Sequence, residues 1–152
     1  MILNLISFIF SLSIMGSVQV NTCHFKPISP ESFELSFQGK KTKIFVSSKE
    51  AKLEACHIDK RFPGLLITEI NLGHAGTSSQ ISQTDLVIFA TKGAQLKKIF
   101  QDSIRDISQR KDTKSGKIET NRYQRKYELK AQKNGKALVR FLDSAEKYNL
   151  KY

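Results

Sequence analysis

No charged side chain occurs before Lys26, no alanine before Ala51, and no tryptophan anywhere in this chain of 152 residues. The first absence excludes an ordinary soluble element at the N-terminus, because a surface helix or strand carries polar groups on one face. Met1 to Val20 instead runs through Ile2, Leu3, Leu5, Ile6, Phe8, Ile9, Phe10, Leu12, Ile14, Met15 and Val18, spaced mainly by Ser, Asn and Gly. Such a run suits a segment that enters a membrane. The expectation is a signal peptide over residues 1–20, removed near Val18 or Val20, with the remainder exported to a secreted or periplasmic location. The missing alanine leaves only Gly16, Ser17, Val18 or Val20 to stand before the cut, and the α-amino group is the sole positive charge ahead of the run. An uncleaved anchor is the rival reading, since about twenty uncharged residues suffice to span a bilayer. Lys26, Lys40, Lys41 and Lys43 would then favour a cytoplasmic C-terminal part, and the chain would be a membrane-anchored interaction protein. A buried core helix is a third reading. Lipid attachment at Cys23 is disfavoured, because Val20-Asn21-Thr22 departs from the apolar-then-small run that such processing requires.

The lack of tryptophan removes the usual aromatic anchor of a carbohydrate site, although tyrosine can replace it. Named reaction motifs are lacking too. Gly73-His74-Ala75-Gly76-Thr77-Ser78-Ser79 has two glycines but no Gly-Lys-Ser/Thr ending, and no Gly-x-Ser-x-Gly occurs. Cysteine is scarce. Cys23 and Cys56 are an even pair beyond the leader, which in an oxidising compartment is most simply a disulfide. Each is followed by a histidine, and two cysteines with two histidines are the right donors for zinc. Adjacent residues of an extended chain point in opposite directions, so this spacing argues against a metal site. Neither metal nor cofactor is expected. His57, Lys60, Arg61 and His74 supply the residue types of a metal-free ribonuclease, a general acid and base with a cation for the phosphate, but in no diagnostic spacing. A small secreted hydrolase of that kind is the alternative functional reading, with no catalytic residue assigned.

What the chain has in abundance is positive charge, and it is unevenly placed. Residues 1–91 hold 8 basic and 7 acidic side chains, while residues 92–152 hold 17 basic and 7 acidic. A field of that sign draws anionic partners: an acidic protein, a glycan, phospholipid or nucleic acid. The candidate anion-binding residues are Arg122, Arg125, Lys126, Lys130, Lys133, Lys136 and Arg140. If residues 122–132 form one strand, Arg122, Lys126 and Lys130 share a face, while Tyr123, Tyr127 and Leu129 turn to the core with Arg125 among them. The plainer reading of these cations is a solvated surface that keeps the protein soluble.

Residues 21–152 are long enough for one domain, and no repeat or Pro/Gly-rich linker divides them. Period-two alternation over Ser32 to Gln38 and Lys43 to Val46 predicts a hairpin across Gly39-Lys40-Lys41. Leu65 to Ile70 and Asp85 to Ala90 read as strands, the second apolar at four successive positions and therefore more buried. Ser47 and Glu50 form a capping-box pattern that predicts a short helix over Lys49 to Ala55. Leu96, Ile99, Phe100, Ile104 and Ile107 recur at spacings of three and four, predicting a helix over Gly93 to Ser108. Lys117 to Gln132 reads as one long strand, Asn134-Gly135 as a hairpin turn and Lys136 to Leu142 as the return. Asp143 and Glu146 predict a last helix ending near Leu150. The expected order, ββαββαββα, is an α+β domain with a mainly antiparallel sheet and helices on one side.

Overall fold

The computed structural model describes residues 22–74 and 80–152. The expected leader over residues 1–20, and residues 75–79 of the Gly-Ser loop, lie outside the described residues. The fold is all-β, with no helix among the described residues. Its strands are β1 (Cys23–Ser29), β2 (Ser32–Phe37), β3 (Lys40–Phe45), β4 (Lys52–Ile58), β5 (Leu65–Asn71), β6 (Gln80–Ala90), β7 (Lys97–Lys111), β8 (Ile118–Gln124), β9 (Tyr127–Ala131), β10 (Ala137–Phe141) and β11 (Lys147–Asn149). They make three antiparallel sheets: an N-terminal sheet β1-β2-β3, a central sheet β4-β5-β6-β7-β8, and a C-terminal sheet β11-β10-β9.

The central sheet is covered on both faces. Leu66 and Ile70 of β5, with Val87 and Phe89 of β6, pack against Phe33, Leu35, Phe37 and Ile44 of the N-terminal sheet. The alternate residues Leu65, Ile67, Leu86 and Ile88 pack against Leu129, Val139 and Phe141 of the C-terminal sheet. This explains the near-continuous apolar runs of β5 and β6, because a strand with two buried faces has no polar phase to show. Cys23 and Cys56 are bonded to each other, Cα to Cα 6.3 Å, and tie β1 to β4 across the two layers. Both sulfurs are thereby withdrawn from metal ligation as thiolates.

The turns follow local chemistry. Phe37 pairs with Lys40 across Gln38 and Gly39, both at positive φ, which is the two-residue turn that matches strand twist. At Asn134-Gly135 the Gln132 amide donates to the Lys136 carbonyl at 2.8 Å, and Gly135 sits at φ 76°. The loop is therefore three residues long with glycine in the left-handed position. Gly73 is also at positive φ (83°), just after β5. A Cβ there would overlap Ser48 Oγ and lie 3.3 Å from the Ala51 nitrogen. Ser48 Oγ accepts from the backbone of Glu50 at 3.3 Å and of His74 at 3.2 Å, so it cannot move without losing both bonds. Gly73→Ala is expected to cost about 2 kcal/mol, combining backbone strain with displacement of Ser48, and a thermal melt beside wild type checks it. An unchanged melting temperature would contradict this account of the β3–β4 and β5–β6 connections.

Three helical expectations are corrected. Residues 93–108 enter β7. Ile88 opposes Phe100 and Phe89 opposes Lys98, so Ile99 is an extra residue; Thr84 opposes Arg105 and Asp85 opposes Ser103, so Ile104 is another. These bulges re-phase the strand, and the apolar side chains that pack on the C-terminal sheet fall at 99, 100 and 104, a spacing that imitates a helix. Residues 49–55 form a loop and the start of β4, and Ser48, rather than Ser47, caps the local amide. Residues 143–150 form a turn and β11. The expected α+β class with helices on one side of a sheet is therefore replaced by stacked β-sheets. The single strand expected over 117–132 is two, β8 in the central sheet and β9 in the C-terminal one, with the chain changing layers at Arg125 and Lys126.

Candidate functional site: the basic outer face of the C-terminal sheet

Register fixes which side chains of the C-terminal sheet face outward. Leu129 pairs with Val139 and Tyr127 with Phe141, and these point into the core. The alternate positions, Glu128 with Arg140 and Lys130 with Leu138, take the outer face. Arg140 is also opposite Lys147 of β11. Lys133 and Lys136 flank the glycine turn at one end of the hairpin and are exposed, as is Lys126 at the other. The outer face thus carries Lys130, Arg140 and Lys147 with Glu128 the one acid among them, and further cations stand at both ends. Lys130 lies 3.3 Å and Arg140 3.6 Å from Glu128, so that carboxylate is shared. Among the described residues no carboxylate forms an ion pair with Lys126, Lys133, Lys136 or Lys147. Five of the expected anion-binding residues, Lys126, Lys130, Lys133, Lys136 and Arg140, therefore belong to one hairpin and the residue that leads into it.

Arg122 and Arg125 sit elsewhere. Arg122 is exposed on β8, opposite Ile107 of the central sheet, so it shares no strand face with Lys126 and Lys130. Arg125 is enclosed, with its side chain 9% exposed. Its Nη1 lies 3.1 Å from Asp102 Oδ2, its Nη2 donates to Glu146 Oε2, and its guanidinium carbon lies 3.5 Å from the centre of the Phe141 ring. Burial alone would weaken its charge, but Tyr123, Glu146 and Asp102 more than offset that and raise its pKa. Arg125 therefore joins β7, the layer crossover and the β10–β11 turn, and its positive charge is spent inside the molecule. Sequence spacing did not bring Lys147 into the site, because the Asp143–Glu146 pattern had placed it in a helix.

Beside this face, where β8 hands over to β9, lies an open cleft of about 520 Å³ lined by Glu69, Arg105, Gln124, Lys126, Tyr127 and Leu142 among others. Its polar groups serve one another. Arg105 Nη2 is 2.7 Å from Glu54 Oε2 and 2.6 Å from Glu69 Oε2, and the Tyr127 hydroxyl donates to Glu69 Oε1 at 3.0 Å. Burial, reinforced by the Glu69 charge, raises the Tyr127 pKa and keeps the hydroxyl protonated. No spacing in the chain signals this network, which gathers residues from β4, β5, β7 and β9. No histidine lines this cleft: His24 is on β1, His57 on β4, and His74 lies after β5 with Nδ1 3.3 Å from the Ile81 carbonyl. Arg61, four residues after His57, is held by both carboxylate oxygens of Asp59 at 3.0 and 2.6 Å. Those bonds bring the Asp59 carboxyl down to about 2. Among the described residues no group of three or more His, Cys, Asp or Glu side chains is placed to hold a metal ion.

No family model, no curated protein and no solved structure matches this chain.

Proposed function

We propose that this is an exported, non-enzymatic protein that binds an anionic macromolecule or surface through its C-terminal sheet. The observation that carries the reading is the outer face of that sheet, where Lys130, Arg140 and Lys147 surround a single acid and Lys126, Lys133 and Lys136 extend the field at both ends. Side chains that face water and lack acidic partners remain available to phosphate, sulfate or carboxylate groups. The Cys23–Cys56 bond supports an oxidising location, where such bridges persist. The face carries no exposed aromatic row among its cations, since Tyr127 turns inward, so it suits recognition of charge better than stacking on bases.

Heparin, single-stranded RNA and anionic phospholipid vesicles serve as probes. Replacing Lys130, Lys133 and Lys136 together by glutamine should weaken binding to the probe that the wild-type protein prefers by roughly tenfold or more at low salt. The fold should survive, because exposed charges contribute about 0–1 kcal/mol each. Wild-type protein that binds none of the three probes at low salt would overturn the reading. So would a triple variant that binds as tightly as wild type, which would leave the charge as an aid to solubility.

A further inference from the structure

The sheets of this molecule end in edges, and all but one carry a device that discourages another strand from pairing. β1 has Pro27 and a register shift beside it. β3 carries Lys40, Lys41 and Lys43 in six residues. β4 has a register shift between Leu53 and Ala55. β9 and β11 are five and three residues long and carry Lys130 and Lys147. Short length, bulges, proline and lysine are the usual protections of an edge. β8 has none of these four, and its only charged side chains are Glu119 and Arg122, of opposite sign. It is seven residues long, free of proline and lysine, exposed at every position, and paired to β7 in unbroken register from Arg105↔Gln124 to Lys111↔Ile118.

The hydrogen-bonding phase of β8 can be assigned. The Asp112 amide donates to the Lys117 carbonyl at 2.8 Å, and the Arg125 amide to the Ile104 carbonyl at 2.8 Å. Both pairs are in the register of the β7–β8 ladder, and bonded pairs alternate with non-bonded ones along antiparallel strands. Glu119, Asn121 and Tyr123 therefore bond to β7. Ile118, Thr120, Arg122 and Gln124 direct their amides and carbonyls away from it, and no described strand takes them.

The two faces at this edge differ. One face shows Ile118, Thr120, Arg122 and Gln124 beside Lys111, Gln109, Ile107 and Arg105 of β7; Arg105 is already paired with Glu54 and Glu69, which leaves Arg122 and Lys111 as the cations of this face. The other shows Glu119, Asn121 and Tyr123 beside Arg110, Ser108 and Asp106. Tyr123 is 52% exposed there. We infer that the free edge of β8 accepts an extended segment of a partner protein as a sixth strand, and that the segment alternates acidic with apolar residues. Its main chain bonds to Ile118, Thr120, Arg122 and Gln124. Its acids lie on the face of Arg122 and Lys111, and its apolar side chains lie beside Tyr123. Strand addition takes affinity from the main chain and selectivity from alternate side chains. A second copy of the chain fits the edge less well, because it would bring one positively charged molecule against another. The inference rests on the proposed binding of anionic partners and names an acidic polypeptide as one of them.

The test uses a fluorescent peptide of alternating Glu and Val. Thr120→Pro removes an outward amide while the bonds of Glu119 and Asn121 to β7 remain, and Thr120→Ala keeps that amide. The peptide should bind wild type and T120A alike and bind T120P roughly tenfold or more weakly. Heparin binding should be the same in all three. Should T120P fail to fold, two N-methylated peptides decide the matter with wild-type protein. Methyl groups on one alternate set of amides should abolish binding, and on the other set should spare it. Heparin binding without peptide binding overturns the inference and spares the parent reading; a protein that binds neither the peptide nor any of heparin, RNA and anionic vesicles removes both. Peptide binding that a folded T120P leaves unchanged, or that both methylation patterns leave unchanged, overturns it as well. A dimer of the free chain that T120P returns to monomer, with no peptide uptake, assigns the edge to a second copy instead.

Discussion

Replacing Arg125 with glutamine should lower stability by about 3 kcal/mol, one of the two largest effects expected in this molecule. Removing one partner of an enclosed ion pair leaves the other uncompensated, at about 3–5 kcal/mol when burial is complete. Here the arginine side chain is 9% exposed while Asp102 and Glu146 are 31% and 50% exposed, so solvent recovers part of the loss. The Phe141 ring loses its cation as well. The variant should melt roughly 10 °C below wild type. Because Arg125 joins β7 to the β10–β11 turn, protection of β10 and β11 amides from hydrogen exchange should fall before that of β5 and β6. Arg125→Gln with wild-type stability would show that the carboxylates around it are satisfied by water. An equal loss of heparin affinity in this variant, with the fold intact, would show that Arg125 belongs to the binding face after all.

The second large effect is loss of the Cys23–Cys56 bond. The bridge closes a separation of 33 residues, which in the chain-entropy model stabilises the folded state by about 3–4 kcal/mol. Cys23→Ser with Cys56→Ser, or reduction of the native protein, should lower the melting temperature by roughly 10–15 °C. Loss should begin in β1, an edge strand whose other ties include its ladder with β2, the Lys26–Glu34 ion pair and the stacking of Phe25 on Phe33, ring centres 4.7 Å apart. β1 amides should then exchange far faster than those of β2. A double variant that melts with the wild type would contradict the bridge as a support of the N-terminal sheet.

The parts of the fold legible in the sequence were those decided locally. Leu65 to Ile70 and Asp85 to Ala90 read as strands because apolar residues at successive positions suit a sheet buried on both faces. The hairpins about Gly39 and Gly135 were legible because glycine supplies a positive φ in each, but the first turn is Gln38-Gly39, with Lys40 and Lys41 in β3 rather than in the turn, and the second loop is three residues long. The cysteine pair followed from number alone. The failures share a physical cause, which is control from a distance. Bulges at Ile99 and Ile104 depend on the β6 partner, and they turned a strand's alternation into helical spacing. The break between β8 and β9 is held by Arg125 through Asp102, Phe141 and Glu146, residues 16 or more positions away in sequence. Asp143 and Glu146, which resemble a helix start, lie against that arginine instead. The cations of the candidate face were legible from composition, but their grouping was not. Lys126 to Arg140 gather on one hairpin, while Arg122 and Arg125 are carried off by the change of layer.

The most direct test of the binding account is the salt dependence of affinity for a short single-stranded RNA or heparin chain, measured side by side for wild type and the Lys130, Lys133 and Lys136 glutamine variant. Each phosphate or sulfate neutralised by a lysine releases condensed counterions, so log affinity should fall linearly with log salt concentration. The account predicts a steep line for wild type and a line shallower by about 2 for the variant, at roughly 0.7 per cation removed. A flat line for wild type, or two parallel lines of equal affinity, would contradict it.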